Sequence, residues 1–158
     1  MRSGVRLGVD VGKARVGIAS SDRDGLLATP VVTLQRADAD ERAFRILAAE
    51  YGAVEIVVGL PLSLNGGDTA STTDAREIAS SIAAWTDLPV RLVDERLSTV
   101  SAQRALRDSG RRTKGSRPVI DQVAAVIILQ NALDSERSAG KPPGSLVDPD
   151  AGRTTQGS

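Results

Sequence analysis

The 158-residue sequence contains no cysteine and no histidine. Those two absences exclude disulfides, thiolate and imidazole zinc sites, cysteine nucleophiles and every histidine-based triad. Aromatic residues are nearly missing as well: Trp85, Tyr51 and Phe44 make up 2% of the chain. The core must therefore be built from Val, Ile, Leu and Ala, and nucleic-acid binding on an aromatic stacking platform is disfavoured. The formal net charge is zero, so no overall field draws a polyanion in, and any such partner must be held by a local patch. No apolar run approaches membrane-spanning length, and the first twenty residues hold no long apolar stretch. A soluble cytoplasmic protein with no membrane contact is the expectation, although a lack of cysteine does not by itself fix the compartment.

What remains for chemistry is carboxylates, lysine, hydroxyls, backbone groups and hard metals with oxygen ligands. Hydrophobic residues make up 41% and charged residues 25% of the chain. That is ordinary for a globular protein, and the length allows one domain with one sizeable core.

The order of elements can be read from periodicity. Arg6–Asp10 and Val16–Ser20 read as strands joined by the short Val11–Arg15 turn. Leu27–Leu34 is a third strand, expected near an edge or bulged because Pro30 cannot donate to a ladder. Asp40–Tyr51 carries a helical apolar stripe stopped by Gly52. Val54–Gly59 is a strand, Leu60–Ser71 a polar loop, Thr72–Trp85 a second helix and Pro89–Val93 the last strand. Ser98–Ser109 reads as a third helix and Arg111–Arg117 as a basic loop. A final helix starts at Pro118 and runs to about Leu133, with a centre apolar enough to be buried against a sheet. From Ser138 the chain is rich in Gly, Pro, Ser and Thr without periodicity.

This order predicts an α/β domain over residues 1–137: a mixed five-stranded sheet, an antiparallel meander followed by parallel strands, flanked by helices. It is an RNase H-like arrangement, although many folds share so coarse an order. Residues 138–158 are expected to form a disordered tail.

Three carboxylates stand out. Asp10 ends a strand in an apolar setting, where an uncompensated charge is costly. Its bland alternative is a turn aspartate bonded to nearby backbone N–H groups. Glu95 follows the last strand, and alternation sends Asp94 and Glu95 to opposite faces, so only one of them can join a shared cluster. A plain ion pair with Arg91 or Arg96 would account for either. Asp121 lies in the first turn of the final helix, where it could simply favour the positive helix end. Ala124 and Ala125, one turn on, are small enough to let that helix approach the sheet closely. Taken together, the three place one carboxylate on each of three elements that such a fold can converge. Three such oxygens suit Mg²⁺ or Mn²⁺, and two ions about 4 Å apart would serve phosphodiester hydrolysis.

Four segments then carry a resemblance: GVDVGKARVGIAS (Gly8–Ser20), VVGLPLSLNGGD (Val57–Asp68), VDERLSTVSAQRAL (Val93–Leu106) and VIDQVAAVIILQNAL (Val119–Leu133). In this order and spacing, over roughly residues 5 to 135, the chain resembles the YqgF/RuvX family of bacterial RNase H-like proteins. The resemblance implies active-site acids at Asp10, Glu95 and Asp121. It also implies either a nuclease acting at the 5′ end of pre-16S rRNA, in ribosome biogenesis, or a Holliday junction resolvase of DNA recombination. Ser98 stands where the family often has Thr, which keeps the hydroxyl.

The loop from Gly59 and Pro61 through Asn65 to Gly67 follows a strand and precedes a helix, a place suited to phosphate contact, with Thr69 and Ser71 able to assist. An ordinary connection would look the same. Between Arg104 and Arg117 lie Arg104, Arg107, Arg111, Arg112, Lys114 and Arg117 against the single acid Asp108. Such a run is usually a solvated surface. In a neutral protein it is also the best source of phosphate-backbone contacts, through Arg111, Arg112 and Lys114, with Lys13 and Arg15 beside Asp10.

Two rivals remain. Asp10–Gly17 also fits the phosphate hairpin of actin-like ATPases and sugar kinases, which need two such domains where this length supplies one. A non-catalytic nucleic-acid-binding module would keep the fold and lose the chemistry. Nucleic acid is the expected partner under both nuclease readings, with the protein a monomer or a homodimer. RNA and DNA are not separated by sequence.

Overall fold

The computed structural model describes residues 2–97 and 117–148, without the side chains of Leu97 and of residues 117–122. The expected third helix, Ser98–Ser109, and the basic residues from Arg104 to Lys114 lie outside the described residues. The elements are β1 (Val5–Val11), β2 (Arg15–Ser21), β3 (Ala28–Gln35), α1 (Glu41–Tyr51), β4 (Ala53–Leu60), α2 (Ala70–Thr86), β5 (Val90–Asp94), α3 (Arg117–Ala139) and β6 (Ser145–Leu146). Short 3-10 turns follow β3 and β5.

The strands form one mixed sheet in the order β3-β2-β1-β4-β5-β6. β1, β2 and β3 are the antiparallel meander expected, and β1, β4 and β5 run parallel. β3 is an edge strand, and its ladder with β2 shifts register where Ile18 pairs with Val32 but Ala19 with Pro30. The missing N–H of proline is accommodated at that irregularity.

Alternation divides the side chains between two faces. One face, with Leu7, Val9, Ile18, Ile56 and Val58, packs against α1 and α2 through Phe44, Ala79 and Ile82. The other, with Ala19 and Val57, packs against α3 through Ala125, Ile128 and Leu129. Gly8 lies on this second face. A Cβ there would stand 2.7 Å from Leu129 Cβ and 3.1 Å from the Ala125 carbonyl oxygen, so the helix is seated on bare strand backbone.

Two boundaries differ from expectation. α3 continues to Ala139 rather than ending near Leu133, because its last turns carry specific partners. Glu136 is buried, its carboxylate held by Arg2 Nε at 2.8 Å and facing Arg6 at 3.6 Å. Arg2 also bridges to buried Glu55 at 2.9 Å, and Arg91 Nε reaches Glu55 at 2.8 Å. Arg137 donates to the Gly25 carbonyl at 2.6 Å. The second difference is a sixth strand. Residues 140–148, expected to belong to a disordered tail, fold back along β5, where Leu92 pairs with Ser145 and the Val147 N–H donates to the Val90 carbonyl at 2.8 Å. The unpaired edge of β5 supplies the hydrogen bonds that hold this stretch. Residues 149–158 lie outside the described part.

Candidate active site

Asp10 is the last α3-facing residue of β1, two positions beyond Gly8 and wholly buried. Its neighbours across the sheet are both glycines. It pairs with Gly17 on β2, and on the other side the pairing of Val9 with Val58 sets it beside Gly59 of β4. The carboxylate therefore stands in a trough with no flanking side chain on either adjacent strand.

Glu95 reaches the same trough from β5. The strand ends at Asp94, and a 3-10 turn begins at Glu95. Glu95 is 2% exposed, and its Oε1 lies 2.6 Å from where a Cβ on Gly59 would be. Ile128 Cδ1 crowds the same point from α3 at 2.5 Å. Asp94 goes elsewhere: it is half-buried and pairs with Arg96, 2.7 Å from Arg96 Nη2. The Arg96 guanidinium holds its carboxyl below the usual carboxylate range. Of the two acids, Glu95 is thus the one that joins Asp10.

The side chain of Asp121 lies outside the described residues, but its place on the backbone of α3 is informative. Glu136 packs beside Arg6, and Leu129 with Ala125 beside Gly8, so α3 runs antiparallel to β1. The residues of α3 before Ala125, Asp121 among them, therefore lie toward the Asp10 end of β1. Among the described side chains no group of three carboxylates that could hold a metal ion gathers.

The hairpin tip between β1 and β2 stands at this same end of the sheet. Gly12 N–H donates to the Arg15 carbonyl at 2.9 Å. Arg36 donates to the Gly12 carbonyl at 2.8 Å and grips Asp74 of α2 at 2.6 Å, which ties tip, β3 and α2 together. Lys13 is exposed on the tip. Arg15 opens β2, and its Nε is buried without a hydrogen bond among the described residues.

The loop residues expected to touch substrate are placed differently from one another. Gly59 lies in the strand expected over Val54–Gly59, as a ladder residue of β4 paired with Val93, and its missing side chain is what admits Glu95. The Pro61 carbonyl accepts a hydrogen bond from the Thr72 hydroxyl. Asn65 Oδ1 accepts from the Gly67 N–H at 3.0 Å, within a turn closed by Ser63 N–H to the Gly67 carbonyl at 2.9 Å. Thr69 caps α2. Sequence reasoning missed the Arg36–Asp74 clamp and the glycine pair around Asp10. The period-two spacing of Gly8 and Asp10, opposite Gly17, is the signal that would have found the second.

The sequence profile of a family described as RuvX, Holliday junction resolvase, matches residues 4–135. The chain belongs to the RuvX family. A relative from Clavibacter michiganensis subsp. michiganensis, named "Putative pre-16S rRNA nuclease", is 61% identical over 150 residues, covering 93% of each chain. One of the same name from Streptomyces coelicolor is 54% identical over 151 residues, covering 94% of this chain and 90% of its own. Among solved structures, Thermus thermophilus RuvC in complex with a Holliday junction substrate superposes with a TM-score of 0.54 at 14% identity. It covers 88% of this chain and 99% of its own, and that likeness establishes the shared RNase H-like fold. As a RuvX protein the chain is a phosphodiester-hydrolysing enzyme, a nuclease. No helix among its described residues is long and apolar enough to cross a membrane.

Proposed function

We propose that this RuvX protein cleaves a phosphodiester bond at the 5′ end of pre-16S rRNA, using a divalent cation held by Asp10, Glu95 and Asp121. The observation that carries this reading is that Glu95, from the turn after β5, fills the space left by Gly59, the β4 residue that lies beside Asp10 of β1. The donors are oxygen only, without a nitrogen or sulfur ligand anywhere in the sequence's side-chain repertoire of His and Cys, which fits Mg²⁺ or Mn²⁺ and up to two ions. When bound, such an ion supplies charge stabilisation and water activation for phosphodiester hydrolysis.

The chain's own residues do the rest. Asp10 and Glu95 are held without freedom by burial, so the donor geometry is set before substrate arrives. Lys13 and Arg15 on the hairpin beside Asp10, with Arg111, Arg112 and Lys114 ahead of Asp121, supply cations for the phosphate backbone. The relatives' names favour precursor rRNA. The family's description favours a four-way DNA junction as the second reading, which would need two copies of the site on opposed strands.

The test offers precursor rRNA and a four-way junction side by side with Mn²⁺, to wild type, Asp10→Asn and Asp121→Asn. Cleavage of the precursor is expected to fall about a thousandfold in each variant, ~4 kcal/mol of barrier, with nucleic-acid binding retained. Variants that cleave like wild type would remove the site; junction cleavage alone would transfer it to the second reading.

A further inference from the structure

Beside Glu95, on the side away from Asp10, a cavity of about 380 Å³ opens between β5, α3 and the returning C-terminal segment. Its walls are aliphatic, from Val93, Ile128, Ala132 and Pro143. Two polar side chains one helical turn apart, Asn131 and Ser135, line it from α3, and Asp94 and Glu95 stand at one end. No lysine or arginine is among the described lining residues.

From this composition we infer that the cavity is a base subsite: it receives the nucleobase next to the scissile phosphate, turned out of its strand. The inference rests on the nuclease reading of Glu95. Charge decides what part of a nucleotide can enter. The described lining offers no lysine or arginine to hold a phosphate, since Asp94 is already paired with Arg96 and Glu95 belongs to the acidic site. A base is neutral, planar and apolar on its faces, and it carries donors and acceptors on its rim. Aliphatic walls accept its faces, and the Asn131 amide and Ser135 hydroxyl offer both donor and acceptor to its edge. The volume lies near the lower end of the roughly 300–1,000 Å³ usual for small-ligand sites, in keeping with one nucleoside rather than a stretch of duplex. Because Glu95 belongs to the cavity wall and to the acidic site at once, a base seated here sets the register of the phosphate beside it. An unpaired or easily unstacked nucleotide would thus be preferred at that position.

The wall formed by Pro143 is contributed by the segment beyond residue 135, where the family match ends. That segment is positioned by its pairing with β5.

The experiment uses the full chain and a short single-stranded oligoribonucleotide carrying 2-aminopurine at each position in turn. Unstacking raises the fluorescence of this base, so binding can be read without turnover. Wild type is expected to raise it severalfold at one position only. Ser135→Phe, which fills the cavity from a solvent-exposed site, is expected to abolish that rise. Asn131→Ala is expected to keep the rise and to change by about tenfold which base is preferred there in cleavage. An abasic residue at the same position should lower wild-type kcat/KM about tenfold and should make no difference to Ser135→Phe. No position-specific rise in wild type, or an undiminished rise in folded Ser135→Phe, would overturn the base subsite. A rise that persists in an inactive Asp10→Asn protein supports the subsite, whereas activity surviving in Asp10→Asn refutes the acidic site instead. The two readings therefore fail separately.

Discussion

Glu95 occupies the space that a side chain on Gly59 would need, with its Oε1 only 2.6 Å from the position of the missing Cβ. The substitution Gly59→Ala therefore acts on Glu95 directly. The added methyl meets both that oxygen and Ile128 Cδ1, and neither belongs to a flexible surface chain. Overpacking of this kind costs about 1–3 kcal/mol of stability. The larger effect is on chemistry, since displacing a positioned group by about 1 Å can cost 10²-fold. Cleavage by folded Gly59→Ala is expected to fall about a hundredfold, as measured by single-turnover kinetics beside a thermal melt. Wild-type rates in the variant would show that Glu95 has no role in the reaction.

The two adjacent acids should separate cleanly. Glu95→Gln is expected to lose about a thousandfold in cleavage, ~4 kcal/mol. Asp94→Asn should cost at most about tenfold, because Asp94 spends its charge on Arg96 at a partly exposed site. Equal losses in the two would place both acids in the reaction.

The pinning of α3 at the far end of the sheet predicts a specific pH dependence. Hydrogen bonds from Arg2 hold the Glu136 carboxyl down to about 2, against an ordinary value of 4.5. A group whose folded value is depressed contributes stability above its unfolded value and loses it as pH falls through the folded one. Glu136→Gln should thus be less stable than wild type by about 2 kcal/mol at neutral pH, allowing for the solvent-exposed side of Arg2. The gap should shrink below pH 4.5 and close near pH 2. Denaturant unfolding across that window measures it, and a gap independent of pH would assign the loss to packing.

Arg111, Arg112 and Lys114 are tested through salt. Replacing all three by Ala should weaken binding to a single-stranded RNA and flatten the log–log salt dependence by about 2, as three lost phosphate contacts require. An unchanged slope would assign the contacts to other residues.

Much of the architecture was legible because each element announces itself locally. Asp40 and Gly52 bracket α1 as N-cap and left-handed stop, and Pro30 marks the edge strand. Asp10 was legible as a carboxylate closing an apolar strand. The choice between Asp94 and Glu95 was not, because strand alternation stops at Asp94 and the 3-10 turn that aims Glu95 depends on the β4–β5 register. Gly59 was legible as the end of a strand, but not as the space for Glu95, because its lack of a side chain matters only to a residue from a distant segment. The C-terminal return escaped notice for a similar reason. A two-residue strand has no period, and what holds it is the unpaired edge of β5.

That return has a consequence for assembly. At one border of the sheet lies β3, with Pro30 and a register shift; at the other, a two-residue strand that Pro142 and Pro143 precede. Among the described residues, neither border offers a long, uninterrupted row of free N–H and C=O groups on which another chain could grow. The described sheet is thus poorly suited to being extended, strand on strand, by a second copy of this protein.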